Sequence, residues 1–220
     1  MVWYNQPGKN SGKEIVMRQC RFILGGGHLP RARDGGAGFY QKLVAPYGKG
    51  AKVVICAFAR EMKAWPAILE QERGLLTGLL FDPSSQVTLA TVANFKSQVA
   101  SADAVVLRGG DTERLLKMLN QAGDWLCDLE QKTIAGSSAG AYALASKYVK
   151  LGQIPEVCNG LGLVDVLAVA HYRSATLPGG NAFGSLDVYW TEVDRLINQV
   201  EYKNVLQLSE GEFAIIQSKT

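Results

Sequence analysis

The sequence is poor in the residues that most often announce a metal, redox or nucleic-acid protein. It has four cysteines (Cys20, Cys56, Cys127 and Cys158), widely scattered and without a Cys-x-x-Cys pair. That spacing excludes the common zinc and thioredoxin-type patterns. Contexts such as Val53-Val54-Ile55-Cys56 read as buried thiols. There are two histidines, His28 and His171, too few for a His-rich metal centre. No apolar run approaches the length of a bilayer span. The formal net charge is +3, and no Lys/Arg cluster is interleaved with aromatics, so nothing recommends nucleic acid as a partner. Met1 to Lys13 is polar and lacks the apolar core of a signal peptide, so a cytoplasmic protein is expected.

What the chain does have is enough length and apolar content for one α/β domain. It has 220 residues, 47% hydrophobic and 20% charged, the balance of a water-soluble globular protein. Residues 1–17 read as a flexible extension and 18–220 as a single domain. Apolar runs at Arg18 to Leu24, Ala51 to Phe58, Gln86 to Val92, Ala104 to Leu107 and Lys132 to Ala135 predict strands. Helical spacing predicts helices from Phe39, over Trp65 to Leu80, Ala93 to Val99, Glu113 to Ala122, Asp124 to Gln131 and Ser185 to Val200. Strands that are apolar along their length and alternate with helices predict a mostly parallel sheet covered on both faces. After residue 138 the pattern changes. Tyr148 to Leu151, Val157 to Leu161 and Val166 to Tyr172 read as short strands or loops, and Asn204 to Leu208 and Glu212 to Gln217 as strands. The glycine-rich stretch Gly25 to Gly38 lacks both the dinucleotide fingerprint and the Walker spacing. It reads instead as a loop at the carboxyl end of a strand, where α/β sheets place their sites.

The chemistry centres on Gly136-Ser137-Ser138-Ala139-Gly140, a Gly-x-Ser-x-Gly between an apolar strand and a run of small residues. In that setting the central hydroxyl of Ser138 stands on a sharp strand-to-helix turn, and the helix start offers N–H groups to an oxyanion. The plainer reading is a small-residue turn whose serines cap a helix. A serine needs a base, and His171 is the one histidine after Ser138; it follows the apolar run Val166 to Ala170. A third group must orient the imidazole. Glu210 stands at a turn after the strand Asn204 to Leu208, and Glu212 is its rival. Ala139 N–H and a second N–H from Gly110, at the end of the preceding strand, would complete an oxyanion hole.

These stretches together resemble the dipeptidase E and cyanophycinase family of serine peptidases. The matching pieces are Arg108-Gly109-Gly110-Asp111-Thr112, Gly136-Ser137-Ser138-Ala139-Gly140-Ala141, His171-Tyr172 and Leu208-Ser209-Glu210-Gly211, in that order. The resemblance implies a class I glutamine amidotransferase-like fold, a three-layer α/β sandwich with a mostly parallel central sheet. It implies Ser138 as nucleophile, His171 as base, Glu210 as its orienter, and Gly110 and Ala139 as oxyanion donors. It implies hydrolysis of small peptides without metal or cofactor, with preference for an N-terminal aspartyl residue in dipeptidase E members and for the polymer cyanophycin in cyanophycinases. The expected state is a monomer or homodimer, with no membrane partner. The chain departs from the pattern where Arg108 replaces a glycine and Asp111 an asparagine. No clear basic cluster follows His171, so Arg108 and Arg173 stand as the candidate cations for an aspartyl side chain, and Asp111, beside the oxyanion hole, as a further candidate substrate contact. Those departures also support a rival reading, a catalytically silent relative that binds a small ligand or partner protein. Glutamine amidotransfer is disfavoured, because that chemistry in this fold uses cysteine where Ser138 stands.

Overall fold

The computed structural model describes residues 19–48, 50–80, 86–177, 180 and 182–218. The expected extension, 1–17, lies outside the described residues. In chain order the first half runs β1 (Arg21–Gly25), α1 (Ala37–Val44), β2 (Lys52–Cys56), α2 (Trp65–Leu80), β3 (Gln86–Leu89), α3 (Phe95–Ser101), β4 (Ala104–Leu107) and α4 (Thr112–Gln121). The second half runs β5 (Thr133–Ser137), α5 (Ala139–Leu144), β6 (Ala145–Lys150), β7 (Glu156–Asn159), β8 (Val164–Ala170), α6 (Leu186–Val200), β9 (Val205–Leu208) and β10 (Phe213–Gln217).

The apolar runs pair as their burial requires. Six strands form the central sheet in the order β10-β1-β5-β4-β2-β3, with β10 antiparallel to β1 and the others parallel. Alternate residues face opposite sides. Ile23, Val53, Ile55, Val106 and Ala135 pack against Phe39, Tyr40, Leu43 and Leu76 of α1 and α2. Phe22, Leu24, Val54, Val105, Leu107 and Ile134 face the other way, toward Phe95, Leu115, Leu119 and the small residues of α5. The result is a mixed α/β fold with a mostly parallel central sheet flanked by helices, as the sequence pattern predicts.

The short runs after residue 144 do more than the sequence reading anticipates. They form a second sheet, β7-β6-β8-β9, whose one face joins the α5 side of the core. Its other face buries Val149, Leu167 and Val169 against Tyr189, Trp190, Val193 and Ile197 of α6. Polar interruptions such as Lys147 and Lys150 break up the apolar signal of β6 and hide it. Likewise, the helix expected over Asp124 to Gln131 shrinks to a 3-10 turn, Trp125–Asp128. Gln131 takes a left-handed φ of 60°, which redirects the chain into β5.

Register decides where the loops meet. Gly25 pairs with Ser137, and Leu107 with Gly136, so β1, β4 and β5 end level. In the second sheet Ala170 pairs with Leu208, so β8 and β9 also end level. Both sheets thus send their carboxyl-end loops to one place, the edge at which parallel sheets hold ligands. Among the described residues no helix is long and apolar enough to cross a membrane.

Candidate active site

Ser138 sits between β5 and α5 with φ 54° and ψ −113°, outside the regions an L-residue prefers. The strain is of order 1–3 kcal/mol and is held in place by the buried elements on either side. All six residues of α5 are buried, wedged between the two sheets. Only a small residue fits the first turn of such a helix: a Cβ on Gly140 would stand 2.1 Å from the Leu107 carbonyl oxygen. The glycines of Gly-x-Ser-x-Gly are therefore a packing requirement that leaves the Ser138 side chain exposed to the cleft.

His171 follows β8 directly. Its N–H donates to the Gly26 carbonyl at 2.8 Å, which fixes the ring's backbone to the loop after β1. Its Nε2 lies 2.9 Å from Ser138 Oγ, and its Nδ1 lies 3.1 Å from Glu210 Oε1. Glu210 stands just after β9. Ser174 Oγ also donates to Oε1, at 3.0 Å, and the Arg31 guanidinium pairs with Oε2. Glu212, the rival acid, accepts instead from the Ser209 backbone N–H at 2.9 Å. Ser138, His171 and Glu210 thus form one continuous hydrogen-bonded chain drawn from both sheets.

The electrostatics fit proton traffic along that chain. Burial pulls the His171 pKa down, and the neighbouring His28 and Arg31 add to this, against an upward pull from Glu210. The imidazole is thereby neutral near pH 7 and able to accept a proton. Burial alone would raise Glu210, but hydrogen bonds from His171, Ser174 and Arg31 outweigh it and lower its pKa. The carboxylate stays ionised, and its charge favours the Nδ1–H tautomer.

The cleft in front of Ser138 has a volume of about 370 Å³. Gly109 and Gly110 form one wall, and a Cβ built on Gly109 would come within 3.2 Å of Ser138 Cβ. Ala139 N–H opens α5 and so has no acceptor within that helix. Arg108 lines the cleft and bonds Glu72 Oε1 at 2.6 Å, with Tyr40 OH donating to the same oxygen at 3.1 Å. Arg60 lines the cleft too and donates from Nε to the Gly109 carbonyl at 2.7 Å. The other two candidate contacts are placed differently. Asp111 turns its carboxylate to the Arg114 N–H at 2.9 Å and caps α4. Arg173 pairs with Asp194 at 2.9 Å and is not among the residues lining the cleft. At the end of the loop Gly25 to Gly38, Asp34 accepts the Gly36 and Gly38 N–H groups at 2.9 and 2.7 Å, so those two are not free to cradle a phosphate.

Sequence reasoning missed Arg31, Ser174, Arg60 and Glu72. Arg31 and Ser174 lie in polar loops and carry no local signal. Arg60 follows a buried strand at its carboxyl end, a position that could have singled it out. Glu72 gave the clearest clue, being a charge one turn from both Ile68 and Leu76 on the apolar face of α2.

Comparison with known proteins agrees with this architecture. No curated protein sequence matches the chain. Solved structures do, and 16 chains match in fold. A peptidase from an acI-B1 Actinobacterium superposes with a TM-score of 0.66 at 17% identity, covering 93% of this chain and 86% of that one. A peptidase E candidate from Listeria monocytogenes EGD-e gives 0.62 at 18% identity, covering 92% and 96%. These likenesses speak for the fold. The model of peptidase family S51 matches residues 23–219, nearly the whole chain. The chain therefore belongs to peptidase family S51, the dipeptidase E family of serine peptidases.

Proposed function

We propose that the protein hydrolyses short peptides through an acyl-enzyme formed on Ser138. The observation that carries this reading is the unbroken chain Ser138 Oγ, His171 Nε2, His171 Nδ1, Glu210 Oε1, with spacings of 2.9 and 3.1 Å. His171 Nε2 takes the hydroxyl proton as Oγ bonds to the peptide carbonyl carbon. The N–H groups of Gly110 and Ala139 receive the developing oxyanion. The C–N bond then breaks, and His171 hands its proton to the leaving amine. Water attacks the ester in the same way, with His171 again as base, and releases the acid and Ser138.

The substrates are peptides with an acidic N-terminal residue. Two arginines, Arg60 and Arg108, line the cleft, and among the described residues no carboxylate is among its lining side chains. Such a lining favours an anionic group beside the scissile bond. Engagement of Asp111 in capping α4 supports activity over silence, since it removes the acid from the oxyanion site.

The test is hydrolysis of Asp-Leu beside Glu-Leu, Ala-Leu and Lys-Leu, together with labelling by a fluorophosphonate. Asp-Leu is cleaved fastest, and Ser138→Ala abolishes both labelling and turnover, by about 10⁶-fold in kcat where a nucleophile of this kind is removed. Full rate in Ser138→Ala would sink the mechanism. Labelling with Lys-Leu cleaved fastest would sink the specificity alone.

A further inference from the structure

His28 is the residue at this site that the peptidase reaction leaves without a task. It ends the run Gly25-Gly26-Gly27 in a left-handed conformation, φ 43° and ψ 48°, and its side chain is 56% exposed. Its Nε2 lies 3.8 Å from Glu210 Oε1, and its ring stands edge-on to His171 with centroids 5.3 Å apart. Ligand atoms of His28, His171 and Glu210 all fall within 4.8 Å of one another. Among the described residues no other three His, Cys, Asp or Glu side chains gather so closely.

Two imidazoles and a carboxylate are donors that zinc accepts readily. Tetrahedral bonds of about 2.0–2.1 Å set neighbouring ligand atoms roughly 3.3 Å apart. The two separations, 3.1 Å from His171 Nδ1 and 3.8 Å from His28 Nε2 to Glu210 Oε1, lie on either side of that value. His28 is exposed and on a loop, so a small shift closes the set, with water in the fourth position. Arg31 pairs with Oε2 and its charge opposes the cation, while Oε1, which accepts from Ser174 Oγ and His171 Nδ1, gives up the His171 bond when the metal enters.

We propose that His28, His171 and Glu210 form a zinc site whose occupation switches the peptidase off. The switching half rests on the triad reading above; the binding half does not. Zinc takes the lone pair of His171 Nδ1, and the proton there moves through solvent to Nε2. The ring stays a neutral imidazole, but Nε2 now carries the hydrogen and donates to Ser138 Oγ. It can no longer accept the serine proton. The Nδ1–H to Glu210 bond is lost in the same event. No electron is transferred, and chelation restores the original tautomer.

The experiment uses the Cys127→Ser chain, which removes the exposed thiol as a competing ligand. Zinc chloride is titrated into it calorimetrically, and fluorophosphonate labelling is timed with and without the metal and after EDTA. The expected result is one zinc per chain and labelling slowed at least tenfold, reversed by EDTA. Adding His28→Ala or His28→Gln weakens both effects at least tenfold, each variant being scored against its own metal-free rate. Arg31→Gln strengthens binding. The proposal is overturned if zinc does not bind one-to-one, or if the His28 variants respond to zinc as the parent does. A chain that never labels refutes the peptidase mechanism, yet its calorimetry still decides the metal site.

Discussion

The two sheets contribute to the site in different ways. The large sheet presents Ser138 from a buried strand, a buried helix and a strained residue between them, all within one continuous stretch of chain. The small sheet presents His171 and Glu210 from strand ends whose positions depend on a seam with the loop after β1. That seam consists of His171 N–H to the Gly26 carbonyl at 2.8 Å, Gly211 N–H to the Gly27 carbonyl at 2.9 Å and Gly26 N–H to the Glu212 carbonyl at 2.9 Å. The geometry of the proposed nucleophile is local, and that of the proposed proton relay is tertiary. Damage to the relay should therefore appear as lost turnover in a protein that still folds and still displays its serine.

Four perturbations bear on that contrast, the strongest at the relay itself. Glu210→Gln keeps the shape and removes the charge that, in the proposed mechanism, selects the His171 tautomer. We expect kcat/KM to fall about 10⁴-fold, as when a triad acid becomes an amide, with the thermal midpoint little changed. A loss confined to KM would place Glu210 outside the relay. Next comes Gly27→Ala, since a Cβ there would stand 2.2 Å from His171 Cε1. Gly27 also holds φ at 94°, which an alanine resists. Displacing the ring by about 1 Å should cost on the order of 10²-fold in kcat. If Gly27→Ala keeps full activity, the seam does not set the ring.

The third is a pH profile in buffer with EDTA. In the proposed mechanism His171 must be neutral to act as base, and its pKa is held below the free value of 6.5. Activity should be at its plateau by neutral pH and fall tenfold per unit only below that pKa. A midpoint above 6.5 would mean that Glu210 outweighs burial. The smallest effect is on the large sheet's side. Asp111→Ala removes the α4 cap and should lower stability by about 1 kcal/mol in denaturant unfolding, with kcat/KM changed less than twofold. A large loss of activity there would give Asp111 a place in the cleft instead.

The contrast also explains what the sequence could disclose. Ser138 was legible because strand, glycines and small-residue helix are contiguous, and each demands the next. The parallel sheet was legible from its apolar runs, and α2 was read at its observed bounds, Trp65–Leu80. His171 and Glu210 carry a weaker signal, elimination and resemblance alone, since no periodicity ties residue 171 to residue 210. Ser174 and Arg31, both bonded to Glu210, left no trace, because a loop side chain that meets its partner across the chain has no local pattern. The second sheet was only half visible for a similar reason: β6 and β7 are short, partly exposed and interrupted by charge.

Glu72 and Arg108 bind two histories together. One belongs to the core, where Glu72 is fully buried and its second oxygen has no partner among the described residues; the other belongs to the cleft wall that Arg108 helps to form. A lineage that exchanged the arginine alone would strand an anion in the interior, and one that exchanged the glutamate alone would release the arginine into the cleft. Positions 72 and 108 are therefore expected to change as a pair among descendants of this chain. Laboratory evolution toward new substrates should find its way past Arg108 only through α2.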